Sequence, residues 1–170
     1  MNMRIFISVL ILIFNFQSWT KADDISDFQI EGMSIGDSLL DYFSEDEIKQ
    51  YKQETQYPGS DRFIILTIND HYSFKTYNSV QIDYKKNDSK YIIASLMGML
   101  RFSDNIDDCY KKQKIIVNEI DMLFPLAKKR DGKQTKTFDK TGESTSYLYE
   151  YHLPSGDVVQ ISCDDWSVKM

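Results

Sequence analysis

Ser38 is the residue with the most obvious chemical promise. It lies in Gly36-Asp37-Ser38-Leu39, a short polar and glycine-containing stretch that could present a serine hydroxyl as a nucleophile. A serine attacks only when a neighbouring base takes its proton and a third group orients that base. The chain has two histidines, His71 and His152. The residue three before His71 is Ile68 and the residue three before His152 is Tyr149, so neither imidazole carries an acidic partner at the Asp-x-x-His spacing.

Those four letters resemble the signature of the GDSL serine hydrolases. In that family the serine follows a buried strand of a parallel sheet, and an oxyanion-hole Gly and Asn come later in the chain. Here the residues before Ser38 are Phe28-Gln29-Ile30-Glu31-Gly32-Met33-Ser34-Ile35, which are polar and only weakly strand-like. Thr67-Ile68-Asn69-Asp70 is similar to the family's Gly-x-Asn-Asp block but lacks its glycine. A hydrolase using Ser38 is therefore the alternative function. The leading expectation is a non-catalytic chain in which Ser34 caps a helix, Asp37 completes its capping box, and Ser38 sits one turn inside beside the core-facing Leu39 and Leu40.

Other side chains could bind rather than react. His71 and His152 each lack a second ligand at metal-binding spacing, and surface histidines explain them better. Asp104-Asn105-Ile106-Asp107-Asp108 could hold calcium, but it has no central glycine and no closing Glu, so helix capping accounts for it. Tyr147, Tyr149 and Tyr151 share one face of a strand and suit either a carbohydrate platform or a core. Asp164, Asp165 and Trp166 are candidates for contact with a partner, the other reading being that Trp166 closes the core edge. Asn87-Asp88-Ser89 matches a glycosylation acceptor. No cofactor and no metal centre are expected.

The elements that position these residues begin after a leader. Arg4, an apolar run from Ile5 to Phe16, and Thr20-Lys21-Ala22 have the layout of a secretory signal peptide over residues 1–22, with an uncleaved anchor as the other reading. Residues 23–170 are then expected as one α+β domain that is periplasmic or secreted, with no membrane span after cleavage. Removing Arg4 and Lys21 from 20 basic residues leaves 18 against 26 acidic ones, a net charge of −8. That charge gives no footprint for nucleic acid. The 11 Tyr, 10 Phe and 2 Trp argue for a packed core rather than an acidic tail.

Hydrophobic spacing predicts the elements. A short helix over Ser34 to Phe43 precedes a second that starts at the Ser44/Glu47 box and runs to about Gln53. Tyr57-Pro58-Gly59-Ser60 is a turn. Strands follow at Arg62 to Ile68, at Val80 to Tyr84, and at Tyr91 to Phe102, the last expected to be central. Lys86-Asn87-Asp88-Ser89 turns between the second and third. Asp104 to Phe124 is a long amphipathic helix capped by Asp104 and stopped by Pro125. Lys128 to Ser144 is a long loop or exposed ribbon. Thr145 to Leu153 and Asp157 to Asp164 form a hairpin about Pro154-Ser155-Gly156. No internal sequence repeat is present. The order suits one antiparallel sheet of about five strands, with short N-terminal helices and the long helix packed on one face.

An even cysteine count behind a leader favours a disulfide between Cys109 and Cys163, over free thiols or half a metal site. Cys109 lies on the apolar stripe of the long helix and Cys163 shares a strand face with Val159 and Ile161. Packing that helix across that strand brings the two together.

The segment Ile30-Glu31-Gly32-Met33-Ser34-Ile35-Gly36-Asp37-Ser38-Leu39-Leu40-Asp41, the long helix with its cysteine, and Ser155-Gly156-Asp157 leading to Cys163-Asp164-Asp165-Trp166 resemble a family of small exported bacterial proteins with no assigned activity. More loosely, a helical segment with a Gly-x-Ser start before an antiparallel sheet is similar to the beta-lactamase-inhibitor-like and outer-membrane-assembly lipoprotein (SmpA/OmlA) folds. The resemblance implies a module that binds a protein or envelope component. This chain departs from those folds in having no lipid-anchor cysteine and in inserting a long helix between strands.

Overall fold

A computed structural model describes residues 24–52, 62–102, 105–137 and 139–167. It has an α+β architecture in which a helix followed by a three-stranded antiparallel meander occurs twice. The first helix, α1 (Glu45–Tyr51), leads to β3 (Phe63–Asn69), β4 (Ser79–Lys85) and β5 (Ile93–Met99). The second, α2 (Ile106–Leu123), leads to β6 (Lys128–Thr135), β7 (Thr145–His152) and β8 (Val158–Asp165). A two-residue-strand hairpin, β1 (Gln29–Ile30) with β2 (Met33–Ser34), precedes both.

Among the described residues the expected single sheet of about five strands is thus corrected to three small antiparallel sheets, with β4 and β7 central in the two larger ones. β5 is an edge strand, shorter than the expected Tyr91 to Phe102. Its apolar letters misled because only Ile93 is buried along it, while Met97 is 44% exposed. The stretch expected as a loop or ribbon, Lys128 to Ser144, starts with strand β6 over its first eight residues and continues as a tight loop. That loop is built by Asp139, whose carboxylate accepts from Thr141 N–H, Thr141 Oγ1 and Ser144 N–H at 2.7–2.8 Å. Bonding from the Ser144 and Thr141 side and main chains holds that carboxyl far below the usual carboxylate range.

Two cores follow from the two meanders. Alternation along β3 buries Ile64, Leu66 and Ile68 against Val80 and Ile82 of β4 and Ile48 of α1. In the second, Ile120 and Phe124 meet Tyr151, Leu153 and Val159. Phe28 packs against both cores.

α1 starts as expected. Ser44 Oγ accepts from Glu47 N–H at 3.3 Å and Glu47 Oε2 accepts from Ser44 N–H at 2.8 Å. The expected end near Gln53 and the turn at Tyr57 to Ser60 lie outside the described residues. So do the leader over residues 1–22 and the expected cap Asp104. Asn105 caps α2, its Oδ1 accepting from Asp107 N–H at 3.0 Å. Among the described residues no helix is long and apolar enough to cross a membrane.

The expected helix over Ser34 to Phe43 is replaced by a hairpin and a single 3-10 turn, Leu39–Asp41. Glu31 and Gly32 take φ of +52° and +81°, a two-residue turn in which both central residues are left-handed. The predicted Ser34/Asp37 bond does form, Ser34 N–H donating to Asp37 Oδ2 at 2.8 Å, but it closes a turn through Gly36 at φ +93°. Leu39 is buried and Leu40 is exposed, not both core-facing.

The disulfide is present. Cys109 and Cys163 have Cα atoms 5.9 Å apart and close a separation of 54 residues. It ties α2 to β8 as the shared-face argument required.

Candidate functional site

The C-terminal sheet has two unlike faces. On one, α2 packs over Tyr147, Tyr149 and Tyr151, so this stripe belongs to the helix interface. Tyr151 is buried and its hydroxyl donates to Asp121 Oδ1 at 2.8 Å. Lys129 of β6 reaches the same carboxylate at 2.7 Å and lies 5.2 Å and 5.3 Å over the Tyr149 and Tyr151 rings. Burial opposes both charges, yet their mutual bonding prevails, lowering the Asp121 carboxyl and raising the Lys129 amine. The Tyr147 hydroxyl donates to Asp131 Oδ2 at 2.5 Å, and that carboxylate pushes the phenol up to about 12.

Among the described residues no helix covers the other face, where Leu148 is buried at the centre. The strand registers place Lys128, Arg130 and Gln134 of β6 beside His152, Glu150 and Ser146 of β7, which in turn oppose Val158, Gln160 and Asp164 of β8. Lys128, Arg130, Gln134, Val158, Gln160 and Ser162 are exposed. Glu150 and His152, two residues apart on one strand, are hydrogen-bonded to each other on this face. At its far end Asp164 accepts from Ser146 Oγ at 2.6 Å and pairs with Lys136 at 2.9 Å. Lys136 Nζ lies 5.3 Å over the ring of Trp166, which is 48% exposed. The β6–β7 loop fixes this rim, because Ser144 Oγ accepts from Ser167 N–H at 2.9 Å and Glu143 accepts from Ser167 Oγ at 3.1 Å.

Of the three residues expected to contact a partner, Asp164 belongs to the open face and Trp166 to its rim, while alternation turns Asp165 to the helix side. Lys128, Arg130 and Gln160 were not singled out from the sequence. For the two cations the signal was a charge imbalance: positions 128–136 hold four lysines and one arginine against a single aspartate, in an acidic chain.

The remaining candidates are scattered. Ser38 caps the 3-10 turn rather than sitting inside a helix. Its Oγ accepts from Leu40 N–H at 3.2 Å and donates to the Lys90 carbonyl at 2.8 Å. The described hydrogen bonds of the imidazoles go elsewhere, His71 to Ser73 and His152 to Glu150. His71 instead sits among the rings of Phe43, Tyr51, Tyr72 and Phe74, 4.4–6.3 Å away. Asp108 pairs with Lys111 at 2.7 Å. Among the described residues no three His, Cys, Asp or Glu side chains are grouped to hold a metal. Asn87 is exposed in the β4–β5 turn at φ +67°. In comparisons with models of protein families, with curated proteins and with solved structures, the chain matches none.

Proposed function

We propose that the protein is an exported, non-catalytic binding module that holds a protein or envelope component on the open face of its C-terminal sheet. The observation that carries this is the asymmetry of that sheet. One face is locked under α2, and the other offers exposed cations, an amide, an ion pair and a half-exposed Trp166 at a rim braced by the β6–β7 loop. A Trp beside charges is a common interface anchor. Export is supported by the leader pattern of residues 1–22 and agrees with the Cys109–Cys163 disulfide.

The experiment is site-specific photo-crosslinking in intact cells of the source organism. A photoreactive residue at Gln160 should give a discrete adduct that Trp166→Ala weakens, while the same residue at Lys114 on the outer side of α2 should not. Equal labelling from both positions, or none from Gln160, overturns the reading. The serine-hydrolase alternative has its own assay: turnover of a generic ester that disappears in Ser38→Ala would replace this proposal.

A further inference from the structure

β6 is an edge strand of unusual composition. Its sequence is Lys128-Lys129-Arg130-Asp131-Gly132-Lys133-Gln134-Thr135, and Lys136 follows directly. Every residue of it except Gly132 is exposed. Among the described residues β6 pairs with β7 alone.

The ladder fixes which backbone groups remain on the outer edge. Lys136 N–H donates to the Ser144 carbonyl at 3.0 Å, and the β6–β7 register continues from that pair without a shift. In an antiparallel ladder, alternate residues direct both backbone groups to the same neighbour. Gln134, Gly132, Arg130 and Lys128 therefore face β7. Lys129, Asp131, Lys133 and Thr135 direct their N–H and C=O groups outward. The side chains are divided in the same way. On the helix side Lys129 is engaged by Asp121 and Asp131 by Tyr147. On the open face Lys128 and Arg130 have no described anionic partner.

We propose that this edge accepts an acidic, extended peptide segment of a partner as an additional antiparallel strand. The assignment rests on the binding role proposed above and names the segment it would take. Main-chain bonds to Lys129, Asp131, Lys133 and Thr135 supply the pairing. Acidic residues at alternate positions of the peptide, opposite Lys128 and Arg130, supply the selection. A second copy of this chain is the wrong occupant, because pairing β6 with β6 would bring two basic strands together.

The probe is a synthetic peptide of about eight residues, the length of β6, alternating Glu with Thr. Added to the intact protein, it should slow hydrogen exchange at the N–H groups of Lys129, Asp131 and Lys133, and its binding should weaken as salt rises. In the antiparallel arrangement the peptide's Thr N–H groups face β6 and its Glu N–H groups face away. N-methylation of the Thr residues should therefore weaken binding by roughly tenfold or more, and N-methylation of the Glu residues should leave it intact. The variant Lys128→Glu/Arg130→Glu should lose binding with its thermal midpoint unchanged, whereas Lys112→Glu/Lys114→Glu on α2 should keep it.

No binding, indifference to both methylation patterns, or loss only from the Glu-methylated peptide overturns the proposal. So does salt-resistant self-association through β6 in sedimentation. If the peptide fails while the Gln160 adduct remains and still depends on Trp166, strand addition is wrong and the open-face reading stands.

Discussion

The ring of Tyr77 occupies the space that a side chain at Gly98 would need. A Cβ built at Gly98 would lie 2.6 Å from Cδ1 and Cε1 of that ring. Tyr77 enters the β3–β4 loop just before β4, and Gly98 opposes Val80 across the β4–β5 ladder. The missing side chain on the edge strand lets an aromatic cover the core.

Gly98→Ala should therefore destabilise the protein by about 1–3 kcal/mol through overpacking. Denaturant titration measures this directly. The same substitution in a Tyr77→Ala background should cost much less, because the clash has been removed; the two residues are then coupled in a double-mutant cycle. Equal costs in the two backgrounds would show that the ring yields freely.

The Cys109–Cys163 bond should matter to one half of the molecule more than to the other. It joins α2 to β8, and its 54-residue separation makes it worth about 4 kcal/mol by chain entropy, less any strain. In Cys109→Ala/Cys163→Ala, amide exchange should rise first along α2 and β8, whose packing centres on Ile120, Phe124, Tyr151 and Val159. The β3 and β4 amides rest on the separate core around Leu66 and Ile82 and should hold longer. Uniform loss of protection would mean that the cores melt as one unit.

Local patterns in the chain carried much of this fold. The Ser44/Glu47 box, the strands from Phe63, Ser79, Thr145 and Val158, and the 3.6-residue stripe that puts Cys109 in line with Val117 and Ile120 are visible as letters, because each is set by neighbours within one turn or one pleat. β6 was hidden because an exposed edge strand buries neither face and so shows no alternation. Ser34 reads as a helix cap because Asp37 bonding back to Ser34 N–H serves a turn as well as a cap. The partition into two meanders depends on which edges pair, and that is decided by contacts far apart in sequence. For the open face and its rim only His152, Asp164 and Trp166 stand out as letters, and the cations beside them escape for the same reason as β6.

Glu31 gives a pH signature. Its carboxylate accepts from the N–H groups of Lys75, Thr76 and Tyr77 at 2.7–2.8 Å, so the N-terminal hairpin is clasped to the β3–β4 loop. Burial works against the charge, but the three N–H groups outweigh it and hold the carboxyl below its ordinary value of 4.5. A carboxyl lowered on folding contributes stability above its unfolded value, and that contribution is lost as pH falls through the folded one. Glu31→Gln should thus be less stable than the parent by on the order of 1 kcal/mol near neutral pH, after allowance for solvent screening. The gap should close in acid below the ordinary value. Thermal midpoints across that range test it, and a gap that is constant with pH would remove the carboxylate from the account.

Gln113 makes the last and most demanding prediction. Its side chain is only 4% exposed, and Nε2 donates to the Tyr147 carbonyl at 2.8 Å and to the Ile161 carbonyl at 3.1 Å. One amide group thus joins α2 to both β7 and β8, where an apolar residue would continue the helix stripe. Gln113→Leu keeps most of the volume but leaves those two carbonyls without the amide, at about 1–3 kcal/mol. Gln113→Glu should be worse at neutral pH, because it sets a buried negative charge against two carbonyl oxygens. Burial raises the folded pKa of such a carboxyl, so this variant should regain stability as pH falls and the protonated acid donates one bond. Urea titrations of both variants at neutral and mildly acidic pH separate the two effects. A neutral Gln113→Leu, or a Gln113→Glu whose deficit does not shrink in acid, would show that the bridge contributes nothing beyond packing.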